Sequence, residues 1–147
     1  MLTDSVIEIY SDGSCIGNPG PGGWAAIILE KNKKKEIFGG EKITTNNRME
    51  LIAVINALNL INNKSKISIY TDSKYIINGI TIWMKNWKKN NWKTGNKKIV
   101  KNKDLWNLLD KICGIHQVNW NWVKGHSGHE LNERVDYLAR SEAEKLK

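Results

Sequence analysis

This sequence predicts a mixed α/β fold: a five-stranded sheet of three antiparallel strands plus two parallel ones, with helices on both faces. Three observations carry that expectation. Residues 6–42 hold three strand-patterned runs with polar breaks, which reads as an antiparallel meander. Beyond them helical and strand patterns alternate, and an intervening helix lets a later strand return parallel to an earlier one by a right-handed crossover. At 147 residues, 40% of them hydrophobic, the chain suits one core, so 1–147 is expected to be a single domain.

The elements follow in order. Val6-Ile-Glu-Ile-Tyr10 alternates apolar and polar residues at period two, and a long glycine-rich loop is expected over Ser11 to Gly23. Trp24 to Glu30 and Lys35 to Lys42 are the next two strands, parted by the polar Lys31 to Lys34. Leu51, Val54, Ile55, Leu58 and Ile61 recur at helical spacing, so an amphipathic helix begins near Thr45 to Asn47. Lys66 to Thr71 is a fourth strand, the natural parallel neighbour of the first. Ser73 to Asn90 looks helical, with a break expected at Gly79. Leu105, Leu108, Leu109 and Ile112 mark another helix, which Gly114 can end. Val118, Trp120 and Trp122 alternate with Asn119 and Asn121 as a fifth strand, and Leu131 to Lys145 closes the chain as a helix.

No apolar run is long enough to span a bilayer, and Met1 to Asp4 lacks the build of a signal peptide, so a cytoplasmic protein with no membrane partner is expected. Cys15 and Cys113 stand far apart without partners at metal-ligand spacing, which argues against a disulfide framework or a zinc site. The formal net charge of +8 is concentrated in one place. Between Trp83 and Lys103 lie eight lysines (85, 88, 89, 93, 97, 98, 101 and 103) and no acid, so the rest of the chain balances fifteen bases against fifteen acids. Charge runs are often plain solvated faces. Here Trp83, Trp87 and Trp92 are interleaved with the lysines, and indoles beside cations suit base or sugar stacking next to phosphates.

Asp12 follows the first strand and Asp72 the fourth, which would set their carboxylates side by side where open α/β sheets place their sites. Adjacent carboxylates repel, and a cation between them relieves the cost. Glu50, early on the first helix, and Asp136, on the last, can add further oxygen ligands. A set of carboxylates without thiolates favours Mg²⁺ or Mn²⁺ over zinc. Each acid also has a plainer reading. Asp12-Gly13 can be a turn, Glu50 can reach back to Asn47, Asp72 can cap the helix beginning at Ser73, and Asp136 can pair with Arg140 at i,i+4. Periodicity alone does not choose between the two.

The sequence resembles the bacterial-type (type I) ribonuclease H family. The resemblance is carried by Tyr10-Ser-Asp-Gly-Ser-Cys-Ile-Gly-Asn-Pro-Gly-Pro-Gly-Gly23, Thr45-Asn-Asn-Arg-Met-Glu-Leu51, Tyr70-Thr-Asp-Ser-Lys-Tyr75, Trp83 to Lys98, Trp122-Val-Lys-Gly-His-Ser-Gly-His129 and Asn132-Glu-Arg-Val-Asp136. These stretches stand in family order and spacing over nearly the whole chain. The resemblance implies a ribonuclease H-like fold and hydrolysis of the RNA strand of an RNA·DNA hybrid, with little sequence specificity, leaving 5′-phosphate and 3′-hydroxyl ends. It implies that Asp12, Glu50, Asp72 and Asp136 are catalytic carboxylates holding two Mg²⁺ ions, Mn²⁺ able to substitute, with Asp12 as bridging ligand. His126 matches the family's active-site histidine, suited to proton shuttling or product release, while His116 and His129 read as structural.

By the same resemblance, Asn18, Asn46, Asn47 and the backbone from Gly13 to Cys15 are placed to sense the RNA 2′-hydroxyl, which both donates and accepts hydrogen bonds. Thr45 and Asn102 match a pocket that grips a DNA phosphate, and Tyr75 and Trp87 match residues lining the DNA channel. Trp83, Lys85, Trp87, Lys88, Lys89, Trp92 and Lys93 belong to a segment resembling a basic substrate-binding protrusion. Lys74 departs from the glutamine common in relatives. A catalytically silent hybrid-binding module and a sugar-nonspecific or DNA-directed nuclease are the competing readings; the four acids argue against the first, and the Thr45 to Leu51 and Gly125 to His129 patterns against the second. A monomer is the simplest expectation.

Overall fold

The computed structural model describes residues 6–125 and 129–147. Its sheet has five strands: β1 (Val6–Cys15), β2 (Gly20–Glu30), β3 (Lys33–Thr44), β4 (Lys66–Thr71) and β5 (Gln117–Trp122). They run in the order β3-β2-β1-β4-β5. β1 to β3 form the antiparallel meander, and β4 and β5 add in parallel beside β1. The mixed sheet expected from the sequence is therefore the one observed.

Helix α1 (Asn46–Asn59) starts where Thr45, in extended conformation, accepts a hydrogen bond from the Arg48 N–H through its side chain. Such a cap contributes about 1 kcal/mol. Helices α2 (Lys74–Asn78) and α3 (Met84–Lys89) are joined by a π turn over Gly79–Trp83, α4 spans Lys103–Cys113, and α5 spans Glu130–Lys145. Alternation along the strands sorts the core onto two faces. Ile7, Ile9, Ala26, Ile28, Ile67 and Ile69 pack with Leu51, Val54, Leu58, Trp106 and Leu109. The residues between them, Tyr10, Ala25 and Ile27, pack with Val135, Leu138 and Ala139 of α5. Among the described residues, no helix is long and apolar enough to cross a membrane.

Two local expectations are corrected. The glycine-rich stretch from Ser11 to Gly23 is mostly strand, with Asp12 opposite Ala25 and Cys15 opposite Gly22. Gly17, at φ 80°, serves the turn between β1 and β2, whereas Gly13 serves close packing: a Cβ there would lie 2.5 Å from the Glu50 backbone nitrogen, so β1 and α1 can approach only without one. At Gly79 the helical path continues as a π turn instead of breaking. A side chain at Gly79 would overlap the Trp106 indole, so this glycine makes room for a buried aromatic ring.

Candidate active site

β1 extends past the end of β4. The parallel pairing stops at Ser11 opposite Thr71, so Asp12, within β1, and Asp72, just past β4, lie side by side at the end of the paired region. Glu50, one turn into α1, comes to the same place because Gly13 lets that helix close on the strand. Oxygen atoms of Asp12, Glu50 and Asp72 all lie within 4.8 Å of one another. They line a cleft of about 440 Å³ together with Ser14, Asn46, Asn47, Lys74, Tyr75 and Asp136.

The cluster is electrostatically costly. Asp12 is 3% exposed, and its carboxyl is pushed up to about 8 by burial first and the Asp72 charge second, against a hydrogen bond shared with the Glu50 carboxyl and one from the Gly13 N–H at 2.9 Å. Glu50, 4% exposed, is raised well above the usual carboxylate range by burial and then by Asp12. Its Oε2 is buried with no hydrogen-bond partner. A buried orphan oxygen facing two further carboxylates is the environment that a hard divalent cation would relieve, and an all-oxygen donor set fits Mg²⁺ or Mn²⁺. The residues present thus fit the ions implied by the resemblance.

The plainer readings of the acids divide. Thr45, rather than any contact of Glu50 with Asn47, caps α1, and Ser73 caps α2 through its own hydroxyl, bonded to the Ile76 N–H. Asp12 lies inside a strand, so the turn reading does not hold. Asp136 does pair with Arg140, at 3.0 Å, while also lining the cleft outside the tight trio. Asp72 is anchored through its backbone: the Trp122 Nε1–H donates to its carbonyl at 3.1 Å. The same indole lies 5.1 Å from the Lys74 ammonium, which places that cation at the cleft. Neither the Trp122 anchor nor the place of Lys74 is legible in the sequence, since a contact between residues so distant along the chain leaves no local pattern.

The other expected residues separate by location. Asn46 and Asn47 line the acid cleft, and the Asn46 N–H is held by the Asn18 Oδ1 at 2.8 Å. Asn18, Thr45, Asn47 and Asn102, with Pro19 and Lys101, line a separate pocket of about 190 Å³. The half-buried Cys15 thiol lies against the Thr44 and Gly20 carbonyls. In the basic segment, Trp83, Trp87 and Trp92 form a chain of rings 5.9 and 6.1 Å apart, with Trp87 5.4 Å from the buried Trp106. Trp87 and Trp92 also pack on the main core, so the indoles root the segment to the domain while Lys85, Lys88, Lys89 and Lys93 are exposed. Lys88 pairs with Asp110 at 2.7 Å. His116 accepts from the Ser65 N–H at 3.2 Å, and the ring of the exposed His129 lies 5.3 Å from that of Tyr10. His126 lies outside the described residues.

Known proteins resemble this chain in sequence and in fold. A family profile described as RNase H matches residues 4–144. The chain is 55% identical over 141 residues to a ribonuclease H of Bartonella bacilliformis, covering 95% of this chain and 91% of that protein. It is 57% identical over 141 residues to a ribonuclease H of Alcanivorax borkumensis, covering 96% and 93%. Among solved structures, LC9-RNase H1, described as a type 1 RNase H with the type 2 active-site motif, superposes with a TM-score of 0.85 at 33% identity, covering 97% of this chain and 74% of that one. LC11-RNase H1, solved in complex with an RNA/DNA hybrid, gives 0.65 at 25% identity, covering 95% and 97%.

Proposed function

Because the chain belongs to the ribonuclease H family, we propose that it is a single-domain endoribonuclease that hydrolyses the RNA strand of RNA·DNA hybrids by a two-metal-ion mechanism. The observation that carries this reading is the buried trio of Asp12, Glu50 and Asp72, with oxygens within 4.8 Å of one another in a cleft that Asp136 also lines. These four residues would hold two Mg²⁺ ions, with Mn²⁺ able to substitute. Bound there, such ions lower the pKa of an attacking water and stabilise the leaving 3′ oxygen, which gives 5′-phosphate and 3′-hydroxyl ends.

The chain's own contribution is placement. The Gly13 N–H and the Trp122 indole hold Asp12 and Asp72 at neighbouring strand positions, and α1 carries Glu50 rigidly with Asn46 and Asn47 one turn before it. Asn46 and Asn47 at the acid cleft, with Asn18 tied to Asn46, supply amide groups of the kind that read a 2′-hydroxyl. Thr45 and Asn102 grip a phosphate of the DNA strand, and Tyr75 and Trp87 line its path. His126 moves a proton or helps product leave. The lysines of the Trp83 to Lys103 segment bind phosphates without reading bases, so cleavage tolerates many sequences. We place the enzyme in the cytoplasm as a monomer, in keeping with two unbridged thiols.

The test is incubation with matched RNA·DNA, RNA·RNA and DNA·DNA duplexes, in Mg²⁺ and in EDTA. Cleavage of the hybrid alone, abolished by EDTA, is expected. Binding without cleavage would return the silent-module reading, and cleavage of DNA·DNA would make the protein a DNA-directed nuclease.

A further inference from the structure

Asn102 starts α4 in a left-handed conformation, φ 62°, and its side chain makes no capping bond to that helix. An asparagine at that position ordinarily accepts a backbone N–H of the first turn. Here both ends of its amide are bound elsewhere. Its Oδ1 accepts from the Arg48 Nη1 at 3.2 Å, and its Nδ2 donates to the Tyr75 hydroxyl at 3.1 Å. That hydroxyl is itself fixed by the Trp106 Nε1–H at 3.0 Å. Arg48, in the first turn of α1, completes its fork on Asp104, with Nη1 at 3.1 Å from Oδ1 and Nη2 at 2.9 Å from Oδ2.

A guanidinium has donors and no acceptor, so it accepts only one orientation of the amide beside it. With Arg48 present, the Asn102 oxygen must face the arginine, and the NH₂ end keeps one hydrogen not used by Tyr75. Flipped, the same amide would present its oxygen elsewhere, and an oxygen facing the pocket repels an anion. The pocket in question is the one of about 190 Å³ that Asn102 lines with Asn18, Thr45, Asn47 and Lys101. Asp104 neutralises the Arg48 charge, so the arginine contributes orientation and spacing while Lys101 supplies the cation.

We propose that Arg48 is a positioning residue for phosphate binding: it locks the Asn102 amide donor-outward and ties the start of α4 to the start of α1, so that a phosphate gripped in the pocket is held in fixed register with Glu50 on that same helix. The proposal rests on the hybrid-cleavage reading above. It concerns a residue that touches neither the substrate nor the acid cluster, and that acts only through Asn102 and through the span between the two helices.

The test uses hybrids carrying one neutral methylphosphonate link, scanned along the DNA strand, with the full-length wild type and the variants Arg48→Met, Arg48→Lys and Asp104→Ala. For the wild type, one position should raise KM about tenfold, the size of one charge-assisted hydrogen bond, with kcat unchanged. Arg48→Met should raise KM on the unmodified hybrid by a similar factor and shrink the penalty at that position to about twofold, because the phosphate is then poorly held already. Arg48→Lys, which keeps a donor for the Asn102 oxygen, should restore most of the penalty. Asp104→Ala removes the ion pair but leaves the Asn102 bond, so it should lower the melting temperature while keeping the penalty. A full wild-type penalty in Arg48→Met, with only a lowered melting temperature, would overturn the proposal and leave Arg48 as a structural ion pair. So would a wild type indifferent to every methylphosphonate position while still cutting the unmodified hybrid. A wild type that cuts no hybrid would instead overturn the functional reading itself.

Discussion

Asp12 retains its proton up to about 8, where an ordinary aspartate releases it near 3.8, because burial and the Asp72 charge both oppose ionisation. Between those values the metal-free native protein holds a proton that the unfolded chain has released, so stability falls as pH rises through the window and levels off above it. Thermal melts in EDTA should therefore show a midpoint that declines from about pH 5 to about pH 8.5, with Mg²⁺ reversing much of the decline by occupying the cluster. Asp12→Asn removes the ionisable group at nearly constant volume. It should abolish nearly all cleavage, keep the circular dichroism spectrum, and melt several degrees above the wild type in EDTA at the alkaline end of that window. Wild-type turnover would remove Asp12 from the catalytic set, and a lower midpoint would contradict the electrostatic account. His126→Ala should slow turnover less than Asp12→Asn, because activation of water does not require an imidazole when divalent ions are bound. Equal inactivation by the two substitutions, in single-turnover assays, would contradict that order.

β1, α1 and β4 build the acid cluster as elements, and their junction is tight. Gly13 is where β1 meets α1, with the backbone of Met49 and Glu50 inside the space a Cβ would need. Gly13→Ala should destabilise the protein by about 1–3 kcal/mol, the usual cost of overpacking, and should also depress Mg²⁺-dependent cleavage because Glu50 is displaced. An unchanged denaturation midpoint would show that the junction is looser than described. This same junction explains what can be read from the sequence and what cannot. The first helix is legible because its apolar residues recur at helical spacing and Thr45 precedes them, and the fourth strand because it alternates between turn-forming neighbours. β1 and β2 through the glycines are illegible, since glycine signals loops locally while its need here comes from α1 at Gly13 and Gly22 and from α5 at Gly23. Gly79 misleads for the same reason, its partner being Trp106, which lies on α4. Among site residues, the carboxylates can be named from motif order, whereas the Arg48 fork to Asn102 and Asp104 joins positions 54 and 56 residues apart and has no local trace.

At the scale of the whole molecule, the net positive charge and the acid cluster occupy different stretches of the chain. The entire net charge of +8 falls between Trp83 and Lys103, a stretch that contains none of the four acids. Replacing Lys85, Lys88, Lys89 and Lys93 with alanine should weaken hybrid binding and make its salt dependence shallower, by about 0.9 in log affinity per tenfold salt for each phosphate no longer neutralised. Lys88, already paired with Asp110, should contribute the smallest share. The rate at saturating substrate should be largely retained, since uniform binding energy acts on KM. Unchanged affinity and salt slope would make the segment a solvated face. The central claim, that the acid cluster cuts one strand of a hybrid, is tested most directly by single-turnover cleavage of an RNA·DNA duplex labelled separately on each strand, followed by analysis of the ends. In Mg²⁺ the RNA strand alone should be cut, with 5′-phosphate and 3′-hydroxyl ends, and Asp12→Asn should leave both strands whole. Scission of the DNA strand, or RNA cleavage that survives both EDTA and Asp12→Asn, would contradict the account.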